Sequence, residues 1–131
     1  IRIAADHPVT SAASVLARFP EDARNPAFQA QLEATAFKPG DTFQTGFSDY
    51  VPLKAGASGT VLARGVVAGG ADGNEPVLVA GMISKGKVVV SGLAFGETIE
   101  QGGKSERCAK PDANLLVNAV YWLTQPPDPG R

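Results

Sequence analysis

The chain has 131 residues, 44% of them hydrophobic and 19% charged, with one cysteine and a formal net charge of −1 at pH 7. That is the length of one domain with a modest core. The charge balance lacks the basic excess of a general nucleic-acid-binding surface, and a single cysteine excludes an internal disulfide framework and a cysteine-rich zinc site. No apolar run reaches the roughly 18 to 20 residues that span a bilayer; the longest, 77–83, is strand-sized. The chain opens at Ile1, inside an expected strand and without a signal-peptide pattern. It is therefore expected to be processed, truncated or part of a larger polypeptide, with an extracytoplasmic setting favoured and any removed export signal invisible.

In chain order, "IRIAA" (1–5) reads as a short strand ending in the loop Asp6-His7-Pro8. Ala12, Val15, Leu16 and Phe19 follow at helical spacing, with Thr10 or Ser11 as cap and Pro20 as stop. Asn25 and Pro26 then supply a cap and a first-position proline for a second short helix, with Phe28 and Leu32 on one face. From Thr42 the period becomes two: Phe43, Thr45, Phe47, Val51 and Leu53 alternate with Gln44, Ser48 and Tyr50, a half-buried strand bent at Gly46 and Pro52. "TVLARGVVA" (60–68) is a strand and "GGADGNEP" a loop.

"VLVAGMIS" and "VVVSGLAF" are apolar on both faces, so they are expected as a hairpin, 77–84 with 87–95, inside a sheet covered on two sides. The turn is placed at Lys85-Gly86, because glycine takes the positive φ of a tight turn easily. A long polar segment, 96–111, leads to a helix over 113–124 capped by Asp112. Leu116, Ala119, Val120 and Leu123 form its stripe, which Leu115 and Trp122 widen until deep packing is expected. Residues 1–125 thus read as a single α/β domain, and 126–131 as a tail.

The order of these elements, with His7, Pro8, Val9 and Thr10 in the first loop, the hairpin segment Pro76–Gly92 and the closing helix segment Leu115–Leu123, resembles the C-terminal half of a class I glutamine-amidotransferase-like domain. Within that superfamily it is most similar to the ThuA-like (trehalose-utilisation-like) branch, over about residues 6–124. The resemblance implies a flavodoxin-like α/β sandwich, here partial, with a mixed sheet around a central antiparallel hairpin and a buried C-terminal helix. It also implies that the family's parallel strands and any nucleophile elbow lie upstream. The chain departs from the pattern in two respects. It has no G-x-C-x-G or G-x-S-x-G turn, and where ThuA-like members often carry a histidine after the hairpin it reads Leu93-Ala94-Phe95-Gly96-Glu97.

Residue by residue, the chemistry is sparse. The "SKGK" turn leads into a valine-rich strand rather than a helix, so it lacks the amides and dipole of a phosphate loop and reads as a hairpin with Lys85 and Lys87 solvated. His7, the only histidine, could serve as a base or ligand but has only Asp6 as a partner fixed by sequence; the plainer reading is a hydrogen-bonded loop residue. Cys108 lies between Arg107 and Lys110, which favours a thiolate, yet no base or oxyanion donors accompany it. Asp72, Asn74 and Glu75 around Gly73 are too few for calcium and read as a turn. Tyr121 and Trp122 read as core. Any ligand site is expected at strand-end loops, from Asp6, His7, Tyr50, Phe95 and Glu97, with a carbohydrate as a possible ligand; no catalytic residue, cofactor or metal is assigned.

The leading expectation is a non-catalytic binding or assembly module within a larger protein, its sheet covered by a protein partner or by the remainder of the same polypeptide. A hydrolase or carbohydrate-processing domain completed by residues outside this chain is one alternative. An accessory subunit of an extracytoplasmic complex, docked through 96–111, is the other.

Overall fold

A computed structural model describes residues 1–43, 50–65, 74–93 and 111–126. Four strands, β1 (Arg2–Ile3), β2 (Gly59–Arg64), β3 (Pro76–Ile83) and β4 (Gly86–Ser91), form one sheet in the order β1-β2-β3-β4. Among the described residues three α-helices, α1 (Ala13–Arg18), α2 (Pro26–Thr35) and α3 (Pro111–Thr124), join the sheet in an α/β architecture. Every pairing between these strands is antiparallel. The expected mixed sheet is thus corrected for the described strands: each strand pairs with its predecessor in the chain and runs against it, and the two-residue turn between β3 and β4 permits only that direction. Among the described strands the hairpin is also not central, since β4 ends their order.

The hairpin itself forms, over 76–83 and 86–91, with Ile83 opposite Gly86. The turn is Ser84-Lys85, and the positive φ falls on Ser84 (57°), not on Gly86, which opens β4. An L-residue held there costs about 1–2 kcal/mol.

Two register shifts in the β2–β3 pair organise the core. Val61 pairs with Val79 and Ala63 with Leu78, so Leu62 is one residue too many; Arg64 pairs with Pro76, so Val77 is the compensating extra. An irregularity of this kind disturbs the strict alternation of faces. As a result Leu62, Ala63, Val77 and Leu78, two consecutive pairs, are all fully buried. The cross-strand row Ile3–Ala63–Leu78 lies within this cluster, joined by Val9, Phe37, Leu93 and, from α3, Leu115, Ala119 and Trp122. The free edge of β1 is closed by residues 40–43: Gly40 N donates to Ile3 O, Ile3 N to Asp41 O, and Phe43 N to Ile1 O.

The opposite face is different. Directly paired residues share a face, so Val61, Val79 and Val90 make a continuous apolar row across β2, β3 and β4. Val61 and Val79 are half-buried, Val90 is 47% exposed, and Ile83 on the same face is 71% exposed. Among the described residues the helical layer covers one face, and the tip half of the other stays open, so the two-sided cover expected for the hairpin is not supplied by these helices.

The helices follow local signals in part. Asn25 caps α2, its Oδ1 accepting from Ala27 N at 3.0 Å, with Pro26 opening the helix. For α1 the cap residue is Ala12, without a side-chain bond; Ser11 Oγ accepts from Ala13 N at 3.3 Å, and Thr10 is used elsewhere. α3 begins at Pro111, two residues before the expected start, which places Asp112 within its first turn. Nor is α3 deeply packed. Leu115, Asn118, Ala119 and Trp122 face inward, whereas Leu116, Val117, Val120 and Leu123 are exposed. The expected stripe was off by about one position, because the helix is apolar almost all round and period alone cannot say which side meets the sheet. Residues 50–58 carry no strand, correcting that part of the expected 42–53 strand; 44–49 lie outside the described residues.

Residues 50–53 instead cross the end of the sheet. Val51 N donates to Gly92 O at 2.9 Å and Leu53 N to Pro76 O at 2.8 Å. This crossing is possible only because Gly92 lacks a side chain: a Cβ there would lie 1.9 Å from Val51 O. Gly92→Ala is expected to lower stability by about 2–4 kcal/mol, since the obstacle is backbone. Denaturant unfolding should show this as a shifted midpoint. At the hairpin, Ser84→Gly should raise stability by about 0.5 kcal/mol, relief of the left-handed conformation partly offset by glycine's entropy. Gly86→Ala should be neutral within about 0.5 kcal/mol, since a Cβ there meets only Ile83 O, at 3.4 Å.

Candidate functional site

The loop after β1 is built around Thr10. Its side chain is buried and tied on every side: Oγ1 accepts from His7 N and lies 3.0 Å from both Ala5 O and His7 O, to which its hydroxyl can donate. Thr10 N and Ser11 N both donate to His7 O, and Phe37 N donates to Thr10 O. This fixes His7. Its Nδ1 accepts from Val9 N at 3.1 Å, so the neutral ring carries its proton on Nε2. Burial of the ring holds its pKa below the usual value, outweighing the opposing pull of Asp6. A general base needs a free lone pair aimed at its substrate; here Nδ1 is committed to the backbone.

His7 packs edge-on against Trp122 of α3, with ring centroids 4.9 Å apart and planes at 71°. A second polar neighbour of the indole is Lys87. From β4 the ammonium lies 5.4 Å from the Trp122 centroid and donates to Trp122 O at 2.9 Å and, more weakly, to Gln125 O at 3.4 Å. Lys87 thus caps the C-terminal end of α3, where orphan carbonyls and the helix dipole favour a cation. The expectation of a solvated Lys87 is corrected, while Lys85 is exposed as expected. The strand parity carried the signal: Lys87 pairs with Met82, two residues from Ala80, and so shares the face of Ala80 and Leu78 that α3 covers.

Tyr50 belongs to another place. Its ring lies over Gly65, where a Cβ would come within 2.3 Å of it, and its hydroxyl is 3.5 Å from Glu75 Oε2. Partial desolvation, with the Glu75 carboxylate second, raises the phenol pKa. Gly65 N donates to Glu75 O, so Tyr50 marks the Pro76 end of β3, whereas His7 and Lys87 mark the end near Met82. Six residues of strand separate those two positions, on the order of 20 Å. His7 and Tyr50 are therefore not brought into one site. Phe95, Glu97 and Cys108, and with them the conjectured meeting of His7 with Glu97, lie outside the described residues.

Beside Tyr50, Arg2 and Arg64 are direct cross-strand partners. Like charges so placed repel. Asn74 bridges them: its Oδ1 accepts from Arg2 Nη2 at 2.6 Å and its backbone O from Arg64 Nη1 at 2.9 Å. Asn74, read from sequence as part of a loop turn, thus clamps an arginine pair, which sequence reasoning missed because the pairing register was unknown. Among the described residues no cluster of three or more histidine, cysteine, aspartate or glutamate side chains could hold a metal ion. No helix is long and apolar enough to cross a membrane, again among the described residues.

Comparison with family models, curated proteins and solved structures gives no match. The geometry describes two structural anchors and an open apolar surface. Lys87→Met keeps the apolar stem and removes the charge. It is expected to cost about 1 kcal/mol through the lost cap and cation–π contact, read as a lowered thermal midpoint with a change in Trp122 emission.

Proposed function

We propose that this chain is a non-catalytic binding and assembly module that works within a larger protein or complex, its open sheet face being the surface on which the remaining layer docks. The observation that carries this reading is the row Val61–Val79–Val90, continued by exposed Ile83, on a face that the helices do not cover. Full cover of an exposed valine or isoleucine is worth up to about 1.5–3 kcal/mol each, so an apolar sheet face left in water favours a partner. The exposed Leu116, Val117, Val120 and Leu123 on α3 add a second apolar surface. A ThuA-like, flavodoxin-like half-fold accounts for both: in such a sandwich the sheet carries helices on each side, and the described residues bring one helical layer. The order strand, His-Pro loop, helix, hairpin, closing helix supports that assignment.

His7 supports the non-catalytic side of the reading, because its one free acceptor is used by Val9 N. The test uses two exposed positions on the open face, Ile83→Lys and Val90→Lys together. The unaltered chain should self-associate with concentration in light scattering and bind an apolar-surface dye. The double variant should do neither, with its thermal midpoint within a few degrees of the original. A monomeric chain with no dye binding and a hairpin uniformly protected from hydrogen exchange would refute the proposal.

A further inference from the structure

The chain has a single histidine and a single tryptophan, and they touch. His7 is held by an acceptor bond that only the neutral ring can make. Val9 N–H points at Nδ1 from 3.1 Å. Once protonated, imidazole is a donor at both nitrogens, so Nδ1–H would face N–H, donor against donor. This opposition falls inside a packed site, with Trp122 against the ring and Thr10 pinning the backbone on either side. We propose that protonation of His7 is a built-in release, which detaches the 6–10 loop from Trp122 and loosens the C-terminal turn of α3 from the sheet.

The charges around the ring set how strongly this device is poised. Asp6, next in the chain, favours the imidazolium, and it is the one charged group among the described residues that shifts the ring's protonation. Lys87 approaches from β4, its ammonium over the indole that the imidazole also touches, so a second cation on the same ring system gains little. From α3 the contact is Trp122 itself, which carries no charge. Burial dominates this balance and holds the neutral form. The sign follows. A folded-state pKa below the unfolded value near 6.5 means that the unfolded chain binds more protons in that window. Stability is complete above about pH 6.5 and falls as the pH drops from there through the folded-state pKa. This device is independent of what covers the open sheet face and rests on the 6–10 loop and its contact with Trp122.

The experiment follows two reporters from about pH 7.5 to about pH 5, a range centred on imidazole: Trp122 emission, and the hydrogen-exchange protection of the Val9 amide corrected for intrinsic rates. The comparison variant is His7→Asn, whose side-chain oxygen can accept the same i+2 amide without titrating in this range. In the unaltered chain, Val9 protection should drop by about tenfold, the loss of one hydrogen bond, and Trp122 emission should shift to longer wavelength in one transition below about pH 6.5. In His7→Asn both should stay flat. Unchanged Val9 protection in the unaltered chain overturns the proposal, even if the emission is quenched, since quenching needs only the charge. The same transition persisting in His7→Asn overturns it too. If the variant fails to fold, the unaltered chain still decides: Val9 protection must fall along the same curve as the His7 ring titrates by NMR, and a mismatch between the two refutes the release.

Discussion

Everything in this fold depends on how β2 and β3 are paired. The shifts at Leu62 and Val77 break strict alternation at the centre of the sheet and bury two consecutive pairs of apolar side chains, Leu62 with Ala63 and Val77 with Leu78. In a regular antiparallel pair half of these would point the other way. The core is thereby concentrated toward the Pro76 half of β3, where β1, Val9, Phe37 and the inner face of α3 meet it. Toward the hairpin tip the alternation is regular again, and one face passes to water. The same pairing that makes the core possible thus leaves the apolar row Val61–Val79–Val90 uncovered.

Two polar devices keep the helical layer in register over that core. At one end Thr10 gathers the backbone of the first loop and presents His7 to Trp122. At the same end Lys87 reaches from the sheet to the last carbonyls of α3. Both converge on one indole, so α3 is positioned by its C-terminal turn. At the other end, residues 50–53 close the sheet through Gly92 and Pro76, and Asn74 holds the facing Arg2 and Arg64. Gly65 and Gly92 at that end are places where a ring or the backbone approaches too closely for a side chain.

Much of this was legible in the residues. The hairpin, α2 with its Asn25-Pro26 start, and the place of the closing helix follow from local chemistry that tertiary contacts did not override. What was not legible depends on long-range pairing. The sequence around Lys87 reads as a solvated turn until its partner Met82 fixes which face it occupies. The rotation of α3 was ambiguous because Leu115 and Leu116 are equally apolar and only one can meet the sheet. The Arg2–Arg64 pair and the Tyr50–Gly65 contact join residues that no spacing rule connects. The positive φ went to Ser84 and not to Gly86 because the two-residue turn is set by the register Ile83–Gly86.

The central claim is that one face of this sheet is buried by the chain's own helices while the other is apolar and open. Methyl NMR with a soluble paramagnetic probe measures that asymmetry directly. The account predicts strong relaxation enhancement at the Val90 and Ile83 methyls, intermediate enhancement at Val61 and Val79, and almost none at Leu62, Leu78 and Leu115. Equal protection of both sets in the monomeric chain would contradict it, because the second face would then already be covered from within.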